Sequence, residues 1–200
     1  MISQAIPKQN FEVIRDQIGA ILAAELVNQH LLDNTFPDFT GKVYVERFTP
    51  VDQSEVPIVN VSISKGEFDN MTKLKANGDY MYNIDVYANA TTNDSALSGD
   101  VGAAMLLQRI MGVIRGILRH PNYSSNLGLT PGVVHGTNLM RFFVADRNNA
   151  KDSLNDIVGR MQFNVKSFEQ ELQNTPAGSA IGTTTFYLQQ TNKGYVFITN

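Results

Sequence analysis

Acid–base, nucleophilic or metal chemistry in this chain would have to come from three histidines, His30, His120 and His135, and from carboxylates, because its 200 residues include no cysteine. Without a thiol there is no disulfide framework, cysteine-type zinc knuckle, iron–sulfur cluster or thiolate nucleophile. The histidines fall at two expected helix ends and in a loop, with no ligand-like spacing and no adjacent carboxylate, so each reads as structural or solvated. A serine with His135 and Asp146 would make a triad on paper. No Gly-x-Ser-x-Gly elbow presents the serine, however, and any sequence of this length offers similar coincidences. Asp33 and Asp38 flank a loop and Asp152 and Asp156 lie in a polar connection; solvation explains both pairs better than general acid–base work in an apolar cleft. Phosphate-cradling, dinucleotide-type and His-Glu-x-x-His motifs are all missing. The expectation is a protein with no catalytic residues, cofactor or metal, and hence not an enzyme.

Charge narrows the partners. Sixteen Lys and Arg against 19 Asp and Glu give a net charge of −3, which argues against affinity built on neutralising phosphates. Arg115 and Arg119, one helical turn apart, could touch DNA, but they fit better as complements of a helix dipole and as subunit ion pairs. Strand aromatics lack the surrounding basic residues that a base-stacking platform needs. The N-terminus does not read as a secretory signal. Ile18 to Val27, read as the most apolar stretch, is too short to span a bilayer and contains Glu25. Five Asn-x-Ser/Thr sequons, at Asn60, Asn70, Asn89, Asn93 and Asn122, are what chance gives in a chain rich in Asn, Ser and Thr. A soluble product with no membrane partner is expected.

The elements that must position these residues follow from periodicity. Phe11, Ile14, Ile18, Ile21, Leu22 and Leu26 recur at three-and-four spacing, predicting a long helix over Pro7 to Leu32 with Pro7 in its first turn. Lys42 to Phe48, Val56 to Ser64 and Tyr80 to Asn89 read as three strands of a meander, with a turn over Thr49 to Glu55. Between the second and third strands lies Gly66 to Asp79, read as a polar loop and a candidate contact element through Met71, Lys73, Leu74 and Lys75. Ser98 is placed to cap a second long helix ended by Pro121, with a core face through Val101, Met105, Ile110, Ile114 and Ile117 or Leu118. Gly112 and Gly116, a turn apart, suggest close packing, within the subunit or between subunits. Leu139 to Ala145 and Ile157 to Phe168 then read as paired antiparallel strands. The fold class is α+β, a mainly antiparallel sheet packed by two long helices.

The last thirty residues change character. Asn174 to Thr185 has the Gly, Ser, Thr, Ala and Pro composition of a linker, followed by strands at Phe186 to Gln190 and Tyr195 to Thr199 around a turn. Twelve residues of that composition span about 20 Å on average and about 40 Å at full extension. A lone two-stranded hairpin is marginally stable, so one carrying Phe186, Tyr187, Tyr195 and Phe197 should dock, on its own sheet or on a neighbour. The expected division is a body, 1–173, and a linker with a hairpin arm, 174–200.

The succession FEVIRDQIGAILAAEL, KVYVERF, VPIVNVSIS, YMYNIDVYANA, GAAMLLQRIMGVIRGIL and GRMQFNVKSF resembles the tail terminator, or tail completion, proteins of long-tailed bacteriophages. The likeness is one of element order over Phe11 to Phe168, with IDVYANA its most suggestive phrase. It implies a hexameric ring that caps the finished tail tube, ends its polymerisation and provides the head-to-tail joining surface. The implied partners are copies of the chain, the tail tube protein, neck or connector proteins and DNA sliding through the lumen; the implied location is the virion tail or neck, after assembly in the host cytoplasm. The hairpin lies outside the common body and suggests an arm that adds strands to a neighbour or a tail protein. Function would then reside in surfaces, with Met71, Lys73, Leu74, Lys75, Arg115, Arg119, Phe186, Tyr187, Tyr195 and Phe197 as candidate contacts. The alternatives are a head-side neck or connector protein and, from another class, a small α+β enzyme or binding module with a pocket around His135 and Arg141.

Overall fold

A computed structural model describes residues 5–49, 51–72, 75–89, 99–145, 156–170, 186–191 and 194–199. The first helix, α1 (Asn10–Leu32), buries Ile14, Ile18, Ile21, Leu22 and Leu26, the stripe expected from the sequence. It starts three residues later than expected. Gln9 is the N-cap, and the Glu12 carboxylate reaches back to accept the Gln9 N–H at 2.9 Å, so Pro7 stands outside the helix.

Strand β1 (Val43–Val45) is only three residues long and pairs in parallel with β2 (Ile58–Thr72). The expected meander is therefore corrected: the chain from Glu46 to Pro57 crosses back, and parallel neighbours need a return of about a dozen residues. Part of that return is a single 3-10 turn, Gln53–Glu55, capped by the Asp52 side chain. Strand β3 (Lys75–Asn89) runs antiparallel to β2 along nearly its whole length, from Ile58 opposite Tyr87 to Thr72 opposite Lys75. The segment read as a polar loop is thus the outer half of the long β2–β3 ribbon. Its polar look comes from the uncovered side, where Lys65, Glu67 and Asp69 face Met81, Asp79 and Asn77. On the other side Gly66 and Gly78 flank the Tyr80 ring, and a Cβ at Gly78 would collide with the Tyr80 hydroxyl. The glycines make room for an aromatic ring; they do not mark a turn.

The second helix, α2 (Gly99–Arg119), is followed by one turn, α3 (Pro121–Ser124), which His120 caps through Nδ1. The expected cap of α2, Ser98, lies outside the described residues. The buried stripe of α2 runs through Ala103, Leu107, Ile110, Met111, Ile114 and Leu118, whereas Val101 and Met105 are exposed. The five-residue step from Met105 to Ile110 turns about 140° around a helix, too far for one face. Among the described residues Val101–Arg119, and not Ile18 to Val27, is a helix long and apolar enough to cross a membrane by length and composition; its stripe is packed on the sheet as in a core helix.

Strands β4 (Val134–Ala145) and β5 (Asp156–Gln170) pair antiparallel and β5 pairs with β3, giving the order β1-β2-β3-β5-β4. Three of the four pairings are antiparallel, so the sheet is mixed. Both helices lie on one face, over Val59, Val61, Tyr82, Ile84, Val86, Met161, Phe163 and Val165. Helix α1 packs mainly on β1 and β2, and α2 on β3 and β5. Strands β6 (Phe186–Thr191) and β7 (Gly194–Thr199) form a separate two-stranded sheet, the hairpin read from the sequence.

Candidate functional site

The two edges of the five-stranded sheet are finished differently. At the β1 edge, Glu46 adopts a left-handed conformation, φ 51°, and ends the strand. Its backbone N–H still bonds the Val61 carbonyl at 2.8 Å, and its carboxylate accepts the Ile63 N–H at 2.8 Å. Asn60, buried on the uncovered face, accepts the Arg47 N–H and donates to the Arg47 carbonyl, both at 3.0 Å. Side chains thus take up backbone groups that a longer strand would have paired. Further out on β2 the edge carries charge, with Lys65 and Glu67 paired at 2.5 Å, which discourages pairing with another chain.

The β4 edge has no such protection. Among the described residues no strand pairs with its outer side. Met140 occupies a bulge between Leu139 and Arg141, so beyond it Phe142 and Val144 share the helix-covered side and Phe143 lies on the other. Phe142 is 65% exposed, Met140 54%, Val144 46% and Phe143 42%. An apolar strand exposed on both faces and along its backbone has the composition and the unpaired N–H and C=O groups of a strand-pairing surface.

Its exposure follows from element dimensions. Two helices of about 10 Å diameter cover about four strands spaced about 4.8 Å apart, and this sheet has a fifth. Over β3 and β5 the uncovered face is polar and hydrogen-bonded within itself. Arg160 grips Asp85 through two bonds at 2.5 and 2.8 Å, a contact that holds its guanidinium above the ordinary value. Arg141 donates to Gln162 at 2.5 Å, Gln162 to Asn83 at 3.3 Å, and Asn164 to Asp79.

The expected contact residues do not converge. Met71 and Lys75 lie at the tip of the β2–β3 ribbon, with side chains outside the described residues, and Lys73 and Leu74 are outside them altogether. Arg115 and Arg119 are exposed on α2. The helix ends beside α3, whose Ser124 carbonyl accepts the Thr137 hydroxyl at 2.7 Å, level with Val165 and Tyr80 in the register. Lys75 is five residues further along β3, about 17 Å away. A Cβ placed on Gly112 or Gly116 would meet no atom within 4 Å, so these glycines do not serve close packing inside the subunit. Gly116 instead borders a cleft of about 340 Å³ between α1 and α2. In that cleft the Tyr123 hydroxyl donates to Glu25 at 2.6 Å, a bond that raises its pKa. Phe186, Tyr187, Tyr195 and Phe197 stand in the hairpin opposite Thr199, Ile198, Gln190 and Leu188.

The structure does not bring His135 and Arg141 together. His135 stacks edge-on against Phe168 beside a shallow depression that includes Glu67, Asp79 and Lys166; Arg141 is six residues further along β4, engaged with Gln162. His30 contacts the Phe36 carbonyl through Nδ1 at 2.6 Å. Among the described residues no group of three or more His, Asp or Glu side chains is placed to hold a metal ion. Met140, Phe142, Phe143 and Val144 are absent from the contacts expected from the sequence, although one signal is there. Met140 to Val144 is apolar at four of five positions, without the alternation of a strand that has one wet face.

No family model matches the chain, and no curated protein matches it. Among solved structures, it is similar to a chain in the virion of a native gene transfer agent (GTA) particle, with TM-score 0.42 and 14% identity over 72% of this chain and 93% of that one.

Proposed function

We propose that this protein is a structural component of a bacteriophage virion that caps the tail tube as a ring, ends its polymerisation and offers the surface to which the head joins. The observation that supports this reading most is the open apolar edge of β4, a surface suited to cover by another protein chain. The element order supports it as well: a long helix, three strands with an extended ribbon, a second long helix and two further strands, as in the tail terminators that the sequence resembles. On this reading the partners are further copies of the chain, the tail tube protein and neck or connector proteins, with DNA passing through the lumen without specific binding. The ribbon tip and the exposed α2 arginines of a 1–173 body, and the hairpin arm, 174–200, are contact elements.

Sedimentation of the full chain, alone and mixed with purified tail tubes, tests the proposal. A ring-sized species, and tube ends that no longer extend once it is added, are expected. A stable monomer at every concentration, with and without tubes, would overturn it.

A further inference from the structure

We infer that the apolar end of β4 receives the β6–β7 hairpin of a neighbouring copy, which joins the five-stranded sheet by strand addition. The inference rests on the ring reading and supplies its subunit joint.

Three observations converge on this occupant. The first is the edge itself, from Met140 to Ala145: unpaired on its outer side among the described residues and exposed at Met140, Phe142, Phe143 and Val144. An added strand would take up its free backbone groups and set side chains beside those of β4 on both faces. The second is the hairpin, two six-residue strands in a sheet of their own. Each strand matches the six residues from Met140 to Ala145 in length. Its register puts Leu188 opposite Phe197 and Tyr187 opposite Ile198, so apolar positions occur on both faces, and two strands alone are marginally stable in water.

The third is where the hairpin lies: among the described residues β6 and β7 pair only with each other, in a sheet apart from the five-stranded one. Strand β5 ends at Gln170, and Arg141, at the near end of the apolar edge, pairs with Gln162, eight strand residues or about 27 Å back along β5. Fifteen residues, the length of 171–185, reach about 50 Å at full extension, enough to carry the hairpin beyond its own edge to the same edge of a neighbour. Contacts of this heterologous kind close into rings when the rotation between copies allows.

The absence of native cysteine gives a clean test. One set of full-length chains carries Met140→Cys, Arg141→Cys or Phe143→Cys, and a second set carries Gln189→Cys or Val196→Cys. Mixing the sets under oxidising conditions should link a β4 chain to a hairpin chain. Phe142→Asp, at a position exposed enough to keep the fold, should remove the link and weaken assembly about tenfold or more, with circular dichroism and melting unchanged. In a third set carrying one cysteine of each kind on the same chain, a disulfide that forms only within the chain means that the hairpin docks on its own subunit and overturns the inference. So does the absence of a link in every pair. Rings that sediment normally without the link would sink this joint while leaving the ring reading intact; monomers throughout would sink both.

Discussion

Asp33, Asp38 and Asp52 each accept from the residue two positions on, a Thr or Ser that offers both its N–H and its hydroxyl. The Thr35 hydroxyl lowers the pKa of Asp33, the Thr40 N–H that of Asp38 and the Ser54 N–H that of Asp52. Arg47 lowers Glu55 and Lys8 lowers Asp16 in the same way. Groups depressed on folding stabilise the fold above their unfolded pKa, and that contribution fades as pH falls through the folded value. The urea midpoint should therefore be flat from about pH 8 to about pH 5 and decline below about pH 4; a midpoint that stays level or rises down to about pH 3 would contradict this assignment. The Asp-x-Thr and Asp-x-Ser spacing is legible in the sequence, and it gives Asp33 and Asp38 local partners that solvation alone does not supply. The partners of Asn60 and Asp85 are not legible there: Arg160 is 75 positions from Asp85, and only the sheet register joins them.

At the scale of elements, periodicity located α1, the hairpin and the inner parts of the long strands, because each is dictated by neighbours within a few residues. It misplaced part of the α2 stripe and read the ribbon as a loop, because Gly66 and Gly78 resemble turn residues until Tyr80 is seen between them. These glycines and those of α2 should answer opposite ways to the same substitution. Gly78→Ala forces a Cβ into the Tyr80 ring, whose hydroxyl also donates to the buried Glu169 at 2.5 Å, and should destabilise the fold by about 1–3 kcal/mol. Gly116→Ala meets open space within a helix and should stabilise the isolated chain by up to about 1 kcal/mol. Denaturant titration measures both, and a stabilised Gly78→Ala would refute the packing argument. If Gly116→Ala assembles poorly while melting higher, α2 lies against another copy.

For the whole molecule, the hydrophobic cluster is built from α1, α2, β2, β3 and β5 with Phe36, Phe39, Leu127 and Val134 of β4, and β6 and β7 form a two-stranded sheet apart from the five-stranded one. Deleting residues 175–200 should therefore leave a cooperatively folded body with a melting temperature close to that of the full chain and with weakened assembly. Differential scanning calorimetry beside sedimentation would show it, and a truncated chain that unfolds would mean that the hairpin belongs to its own subunit's core. The sequence by itself determined the supply of parts: two amphipathic helices, strands of alternating pattern, a terminal hairpin and no thiol, since these depend on residue type and short spacing. Only the tertiary structure decided which surface was left over. Whether Phe142 is core or surface depends on how many strands two helices cover and on which strand takes the outermost place. Those are sums over segments far apart in the chain, and no window of sequence contains them.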